Sequence, residues 1–178
     1  MAAETRRLAE LKEYANEIIF GVIKAFWDER GLGARFRLYC VGKGYFLDKL
    51  ELRGETSGRL ETLVPEISRG LKSGGMAEEL SVKREENNVL SVKVRGCIHR
   101  PVEEKLLASG IAPFFCPCTN LVMALAEETL GMAAEQACIE VRGDECTAKV
   151  VLFRRLGLDG GEVRLRSVTR APERGDGV

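Results

Sequence analysis

Apolar residues recur at steps of three and four along the first thirty positions, and charged residues fill the positions between them. This spacing predicts an amphipathic helix over residues 5–29, which the glycines at positions 31 and 33 end. Its apolar stripe, together with Trp27, is expected to join the core, to line a pocket or to form a dimer face. The apolar positions are Leu8, Leu11, Ala15, Ile18, Ile19, Val22, Ile23 and Phe26.

Alternating apolar and polar residues predict strands in the rest of the chain. One strand is expected over residues 35–41. Two hairpins follow it, the first from residues 78–86 and 89–95 and the second from residues 135–141 and 146–153. Asparagine, glycine and aspartate at the turns suit tight hairpin connections.

Helices are predicted between these strands, over residues 60–71, 102–108 and 117–130. Gly131 supplies the C-terminal stop of the last helix, because glycine readily adopts the left-handed conformation that ends helices. The order of helix, strand, helix, hairpin, helix and hairpin favours an α+β fold. Its sheet is expected to be mostly antiparallel with flanking helices.

Size and charge narrow the classes of function. The 178 residues suit one α+β domain over residues 1–155 and a C-terminal extension over residues 156–178, whose end is expected to be disordered. Basic and acidic residues number 27 each, which argues against a broad nucleic-acid surface. No apolar run reaches the ~20 residues that a bilayer requires, and the first residues do not form a secretory signal. We therefore expect a cytoplasmic protein whose cysteines are reduced, metal-bound or buried.

Four of the six cysteines fall within 31 residues, at Cys116, Cys118, Cys138 and Cys146. If the second hairpin turns through the three residues 142–144, Cys138 and Cys146 share one face. Cys116 and Cys118 lie at the start of the preceding helix, where the helix dipole favours a thiolate. Thiolates bind zinc and iron–sulfur clusters. A zinc-like site, a cluster or thiol switch, and ordinary buried thiols all remain open.

Three further residues extend this set. Glu135 lies three positions before Cys138, so an irregular or bulged strand is needed to put both on one face. Cys97 and His99 alternate after the first hairpin and could contribute half of a metal site. His99 is the only histidine, and no hydrolytic triad can be assembled around it, so no catalytic residue is assigned.

From about residue 60 to residue 153 the chain resembles the 4-vinyl reductase domain family, which includes hydrocarbon-binding proteins and the sensor domains of aromatic-responsive transcriptional activators. The resemblance rests on Cys116 before a helix that Gly131 ends, followed by Glu-x2-Cys-x7-Cys on the hairpin. It implies a 4-vinyl reductase-like fold. It also implies one structural zinc ion, with Cys116, Glu135, Cys138 and Cys146 as ligands.

The chain departs from the family pattern in three ways. The small glycines usual in that helix are replaced by Met123, Ala124 and Ala126. The gap from Cys116 to Cys138 is a few residues shorter than the family's, and Cys118 is an additional thiol that could replace Cys116 or Glu135 as a ligand.

The function expected from this resemblance is a homodimeric sensor or carrier that binds a small hydrophobic or aromatic molecule beside the metal. Phe114, Phe115, Met123 and Phe153 are the expected lining residues. One alternative is an iron–sulfur or thiol-based redox sensor that uses the same cysteines with Cys97. The other is an enzyme of the tetrapyrrole vinyl-reductase type, although no cofactor motif supports it.

Overall fold

The computed structural model of the chain describes residues 2–34, 38, 41–42, 60–85 and 88–154. The elements whose bounds lie within these ranges are four α-helices, a short 3-10 helix and four β-strands. In chain order they are α1 (Ala2–Arg30), the 3-10 helix (Gly31–Gly33), α2 (Leu60–Ser73), β1 (Glu79–Arg84), β2 (Val89–Arg95), α3 (Arg100–Ala108), α4 (Pro117–Leu130), β3 (Ala133–Arg142) and β4 (Glu145–Phe153).

The four strands form one antiparallel sheet in the order β1-β2-β4-β3. Two hairpins therefore lie side by side, joined through the pairing of β2 with β4, and the chain passes through α3 and α4 between them. The predicted α+β class, with an antiparallel sheet and flanking helices, is confirmed. Helix α4 has the predicted bounds, and Gly131 after it has a φ of 63°.

One face of the sheet packs against α2 and α4 and forms the main core. Alternate residues of each strand point into this core, as the two-residue period of a strand requires. Helix α4 is buried from Pro117 to Ala126, so it lies inside the domain rather than on its surface. The core residues from the two central strands are Leu90, Val92, Val94, Cys146, Ala148, Val150 and Leu152.

The other face of the sheet carries charged side chains. Ion pairs that cross between strands cover this face and keep it polar. Exposed pairs of this kind contribute little to the stability of a fold. The pairs join Lys93 to Glu145 (3.0 Å), Arg95 to Glu79 (2.9 Å) and Lys149 to Glu85 (2.6 Å).

A second, smaller core lies where α1 meets α3 and the segment that leads into α4. It is formed by Ile23, Leu38, Val102, Leu106, Ile111 and Phe115.

The strand predicted over residues 35–41 is wrong at Leu38, which is helical. Short apolar runs do not distinguish a buried helix from a strand. Val41, at the end of that prediction, lies in a turn. Its remaining residues, which include the sixth cysteine, Cys40, and the extension over residues 156–178 lie outside the described residues. No helix in the described ranges is long and apolar enough to cross a bilayer.

Candidate functional site: a buried thiol cluster beside an apolar cavity

The second hairpin turns through two residues, Gly143 and Asp144, rather than the predicted three. Cys146 therefore pairs with Val141, and Cys138 pairs with Lys149. Cys146 is buried on the core face, whereas Cys138 is exposed on the opposite face. The prediction that the two thiols share a face was wrong, because a shift of register by one residue moves a side chain across the sheet.

Strand β3 contains the irregularity that the spacing of Glu135 and Cys138 requires. The register shifts between Gln136 and Cys138, which leaves Ala137 as a bulge. Glu135 pairs with Val151 and Cys138 with Lys149, so both residues belong to the polar face. The four ligands implied by the resemblance are thus divided between two sides of the sheet, and they do not fit a single metal ion.

A different set of thiols comes together in the core. Cys116 and Cys118 flank Pro117 at the beginning of α4, and the thiol of Cys118 interacts with those of both Cys116 and Cys97. Cys97 follows β2 directly after Gly96. These three cysteines and Cys146 are all buried. We call Cys97, Cys116, Cys118 and Cys146 the thiol cluster.

The two cysteines of α4 differ in acidity. A hydrogen bond from the Cys118 thiol lowers the pKa of Cys116 against the opposing effect of burial, and backbone hydrogen bonds from Thr119 and Cys118 lower it further. The hydrogen bonds to Cys116 and Cys97, together with burial, raise the pKa of Cys118. The pair therefore favours a thiolate at Cys116 that is stabilised by a neutral thiol, as expected near the beginning of a helix.

Glu103 of α3 contacts the cluster. The Sγ atom of Cys146 donates a hydrogen bond to Oε2 of Glu103 at 2.6 Å, inside the core. Burial, followed by the negative charge of Cys116, raises the pKa of Glu103 to about 7. Burial and the nearby Glu103 carboxylate raise the pKa of Cys146. Four thiols and one carboxyl group thus share a space where negative charge is costly.

The cluster does not have the geometry of a formed metal site. Among the described residues, no group of three or more His, Cys, Asp or Glu side chains is arranged to hold a metal ion. The five described cysteines are all unpaired. His99 is engaged elsewhere, since its Nδ1 atom lies 3.2 Å from Oδ1 of Asn16 in α1, and burial lowers its pKa.

An apolar cavity of about 260 Å³ lies against the other side of the α4 entry. All four residues predicted to line a ligand pocket border it, namely Phe114, Phe115, Met123 and Phe153. Its remaining wall residues are Leu38, Asn120, Glu127, Ala134, Glu135 and Gln136. The predicted lining residues therefore converge, although the predicted metal ligands do not.

The cavity wall contains one unused hydrogen-bond acceptor. Gln136 is buried, and its Oε1 atom has no partner among the described groups. Asn120, by contrast, donates from Nδ2 to the carbonyl oxygens of Leu38 (3.0 Å) and Val41 (3.1 Å). An unpaired buried amide oxygen is costly, so a donor from a bound molecule would stabilise it.

Two residues of this region were missed at the level of the sequence. Glu103 lies in a charged helix, and nothing in its spacing distinguishes it from the exposed Glu104. Gln136 could not be found by alternation, because it lies three positions before the core residue Ile139 and only the bulge at Ala137 puts both on the core face.

Comparisons with known proteins do not assign the chain to a family. No protein-family model matches its sequence, and no curated protein matches it either.

Proposed function

We propose that this chain binds a small hydrophobic or aromatic molecule in the cavity beside α4, as a sensor or carrier. The observation that supports the proposal is the convergence of Phe114, Phe115, Met123 and Phe153 on one cavity of about 260 Å³. Ligand sites are typically apolar concavities with a few placed polar groups. A cavity just below the usual size range suits a ligand of one or two rings.

Gln136 narrows the ligand class. Its Oε1 atom accepts a hydrogen bond from a bound hydroxyl or amine, and the aromatic walls surround the rest of the molecule. A site built to pair with a donor rejects an analogue without one, because the buried acceptor then stays unpaired. We therefore expect an aromatic ring that carries a hydrogen-bond donor.

Trp27 supplies a direct readout. It is the only tryptophan, and its ring centroid lies 5.3 Å from that of Phe114, a wall residue. Phenol and toluene, which differ by the donor, would be titrated while tryptophan fluorescence and heat are recorded. We expect phenol to bind the wild-type chain roughly tenfold more tightly than toluene.

Variants locate the site. In Gln136→Leu the preference for phenol over toluene is expected to disappear, and Phe153→Ala weakens both ligands. Leu107→Ala, an exposed position on α3, is the matched control and leaves both affinities unchanged. Absence of binding by the wild-type chain, or binding that Phe153→Ala does not change, would refute the proposal.

We also propose a structural zinc ion at the thiol cluster rather than at the ligand set implied by the resemblance. Four buried thiols from three separate segments interact electrostatically, and thiolates are the ligands that zinc prefers, although these side chains are not already arranged around an ion. Binding would release the thiol protons and draw the side chains around the ion. Ligation by protein groups alone leaves no open position, so the role would be structural.

Metal analysis of the purified protein distinguishes the two ligand sets. We expect about one zinc ion per chain, lost in Cys97→Ser and in Cys118→Ser but retained in Cys138→Ser. Loss of zinc in Cys138→Ser, with zinc retained in Cys97→Ser and Cys118→Ser, would instead support the ligand set implied by the resemblance. A wild-type chain without metal would exclude both sets.

A second candidate function is a thiol-based or iron–sulfur redox sensor. The observation that favours it is the lowered pKa of Cys116 beside the neutral thiol of Cys118, because thiolates are the reactive form of cysteine. Iron and sulfide in anaerobically purified protein, with visible absorbance, would support this function over zinc.

Two further assignments are proposals of the same kind. A 4-vinyl reductase-like fold is supported by the helix that Gly131 ends and by the hairpin after it. A cytoplasmic location is supported by the five unpaired cysteines among the described residues.

A further inference from the structure

Helix α1 has two apolar stripes, and only one of them is buried in the domain. The inner stripe, which includes Ile23, Phe26 and Trp27, contributes to the smaller core. The second stripe alternates steps of three and four residues, which is the a/d pattern of a coiled coil. We call it the outer stripe; its members are Leu8, Leu11, Ala15, Ile18, Val22 and Ala25, all exposed.

The large residues of the outer stripe are about half exposed or more. The exposed fractions are 62% for Leu8, 53% for Leu11, 50% for Ile18 and 47% for Val22. Contiguous exposed apolar surface of this kind marks an interaction site.

The first half of α1 also lacks support from the domain. Every residue from 4 to 15 is exposed, and Asn16 is the first buried residue after them. A helical segment of this length is only marginally stable in water by itself, because helix nucleation is costly and most helical stability comes from packing. A partner along the outer stripe would supply that packing.

We propose that the outer stripe pairs with the outer stripe of a second copy of this chain, antiparallel, to form a two-helix dimer. In this register Leu8 meets the partner's Ala25, Leu11 meets the partner's Val22, and Ala15 meets the partner's Ile18. Each layer thus pairs a larger side chain with a smaller one, as knobs-into-holes packing favours.

Charge and size at the flanking positions support the antiparallel direction. Arg7 lies opposite the partner's Asp28, and the exposed ring of Tyr14 lies opposite the partner's Gly21. Gly21 leaves room there, since a Cβ added to it would meet nothing within 4 Å.

The parallel arrangement is less favourable. It would set Arg7 beside the partner's Lys12, and like charges at such flanking positions oppose pairing. It would also pair Ala15 with the partner's Ala15 and Ala25 with the partner's Ala25, so two layers of the interface would bury little apolar surface.

A groove beside the outer stripe continues the surface onto the domain. It has a volume of about 270 Å³, and Ile18 and Val22 form one side of it while Met76, Phe115 and Pro117 lie among its other walls. In the antiparallel register, the partner's Leu11 and Ala15 contact Val22 and Ile18 at this groove. The second copy would therefore cover both the outer stripe and the groove edge.

Sedimentation equilibrium of the full chain across a range of concentrations tests the pairing. The wild-type chain is expected to dimerise, and Leu11→Asp to weaken the dimer about a hundredfold, because each copy then buries an unpaired carboxylate. Glu13→Lys is the control, since it changes charge on the exposed side of the same helix away from the stripe. Circular dichroism confirms that each variant is folded.

Charge exchange tests the direction. Arg7→Asp and Asp28→Arg should each weaken the dimer about tenfold, and the double variant should recover it. A parallel dimer predicts instead that Arg7→Asp tightens the association with Lys12. A wild-type chain that stays monomeric at all concentrations, a dimer that Leu11→Asp does not weaken, or tightening by Arg7→Asp would overturn the proposal.

Discussion

The thiol of Cys146 donates a hydrogen bond to Oε2 of Glu103 at 2.6 Å, which links β4 to α3 inside the core. The two residues are 43 positions apart, and neither is exposed. The contact matters because a carboxyl group with few charged partners must either stay protonated or destabilise the fold when it ionises.

Glu103 makes stability depend on pH. Its pKa is about 7 in the folded chain against an ordinary value of 4.5, so the folded chain keeps a proton that the unfolded chain releases. Its contribution is fully present below pH 4.5 and is lost as the pH rises through 7, a decrease of about 3 kcal/mol in the free energy of unfolding. Urea denaturation from pH 4 to 8, with chelator and reductant present, measures this decrease.

Glu103→Gln serves as the reference for that measurement. The lowered pKa of Cys116 acts in the opposite direction, since the stability it contributes is lost as the pH falls through its folded pKa. The difference between wild type and Glu103→Gln reports the carboxyl group together with its effect on the neighbouring thiols. Parallel pH profiles for the two proteins would show that Glu103 titrates normally.

The described cysteines should react with thiol reagents at very different rates. Cys138 is exposed on the polar face, whereas the four thiols of the cluster are buried. In a Cys40→Ser background and without denaturant, we expect one fast-reacting thiol, which Cys138→Ser removes. Four further thiols should react only when the chain opens, at the rate of unfolding. More than one fast thiol in this background would contradict the buried cluster.

The packing of α4 predicts a large difference between two leucines. Leu121 is fully buried in the main core, and Leu121→Ala should cost about 2–5 kcal/mol of stability through lost contacts and a residual cavity. Leu107 of α3 is nearly half exposed, so Leu107→Ala should change stability by less than about 1 kcal/mol. Denaturant midpoints at constant slope give both values. Similar losses of stability at the two positions would mean that Leu121 of α4 is not packed in the main core.

Gly96 directs the chain from β2 toward Cys97. Its φ is +63°, and a Cβ added there would lie 2.4 Å from Cγ of Glu78. Gly143, in the second hairpin, has a φ of +59° but nothing within 4 Å. Gly143→Ala should therefore cost only the backbone strain, about 1 kcal/mol, and Gly96→Ala roughly 1–2 kcal/mol more. Adding Glu78→Ala to Gly96→Ala should recover part of the excess; equal costs for the two glycines would exclude the clash.

Local signals in the sequence were sufficient to predict most of the helices and strands. Helix α4 was predicted with its bounds because a proline begins it and a left-handed glycine ends it. The strands of both hairpins and the α+β class were predicted from alternation and order alone. Leu38 was the exception, since one short apolar run is compatible with helix or strand.

The candidate site depends on contacts between residues that are far apart in the sequence. Phe114, Phe115, Met123 and Phe153 were predicted to lie together, and they border one cavity. Cys116 and Cys146 do lie on the same side of the sheet, yet Glu135 and Cys138 do not join them.

The helices, the strands, the bulged spacing of Glu135 and Cys138 and the types of residue available for chemistry could all be predicted from the amino-acid pattern. Those properties depend on neighbours a few positions apart. Which thiols share the core depends on long-range contacts, because a two-residue turn sets the hairpin register and the packing of α3 brings Glu103 to Cys146. A single position of register moves a cysteine from the core to the solvent, and no local pattern encodes that choice.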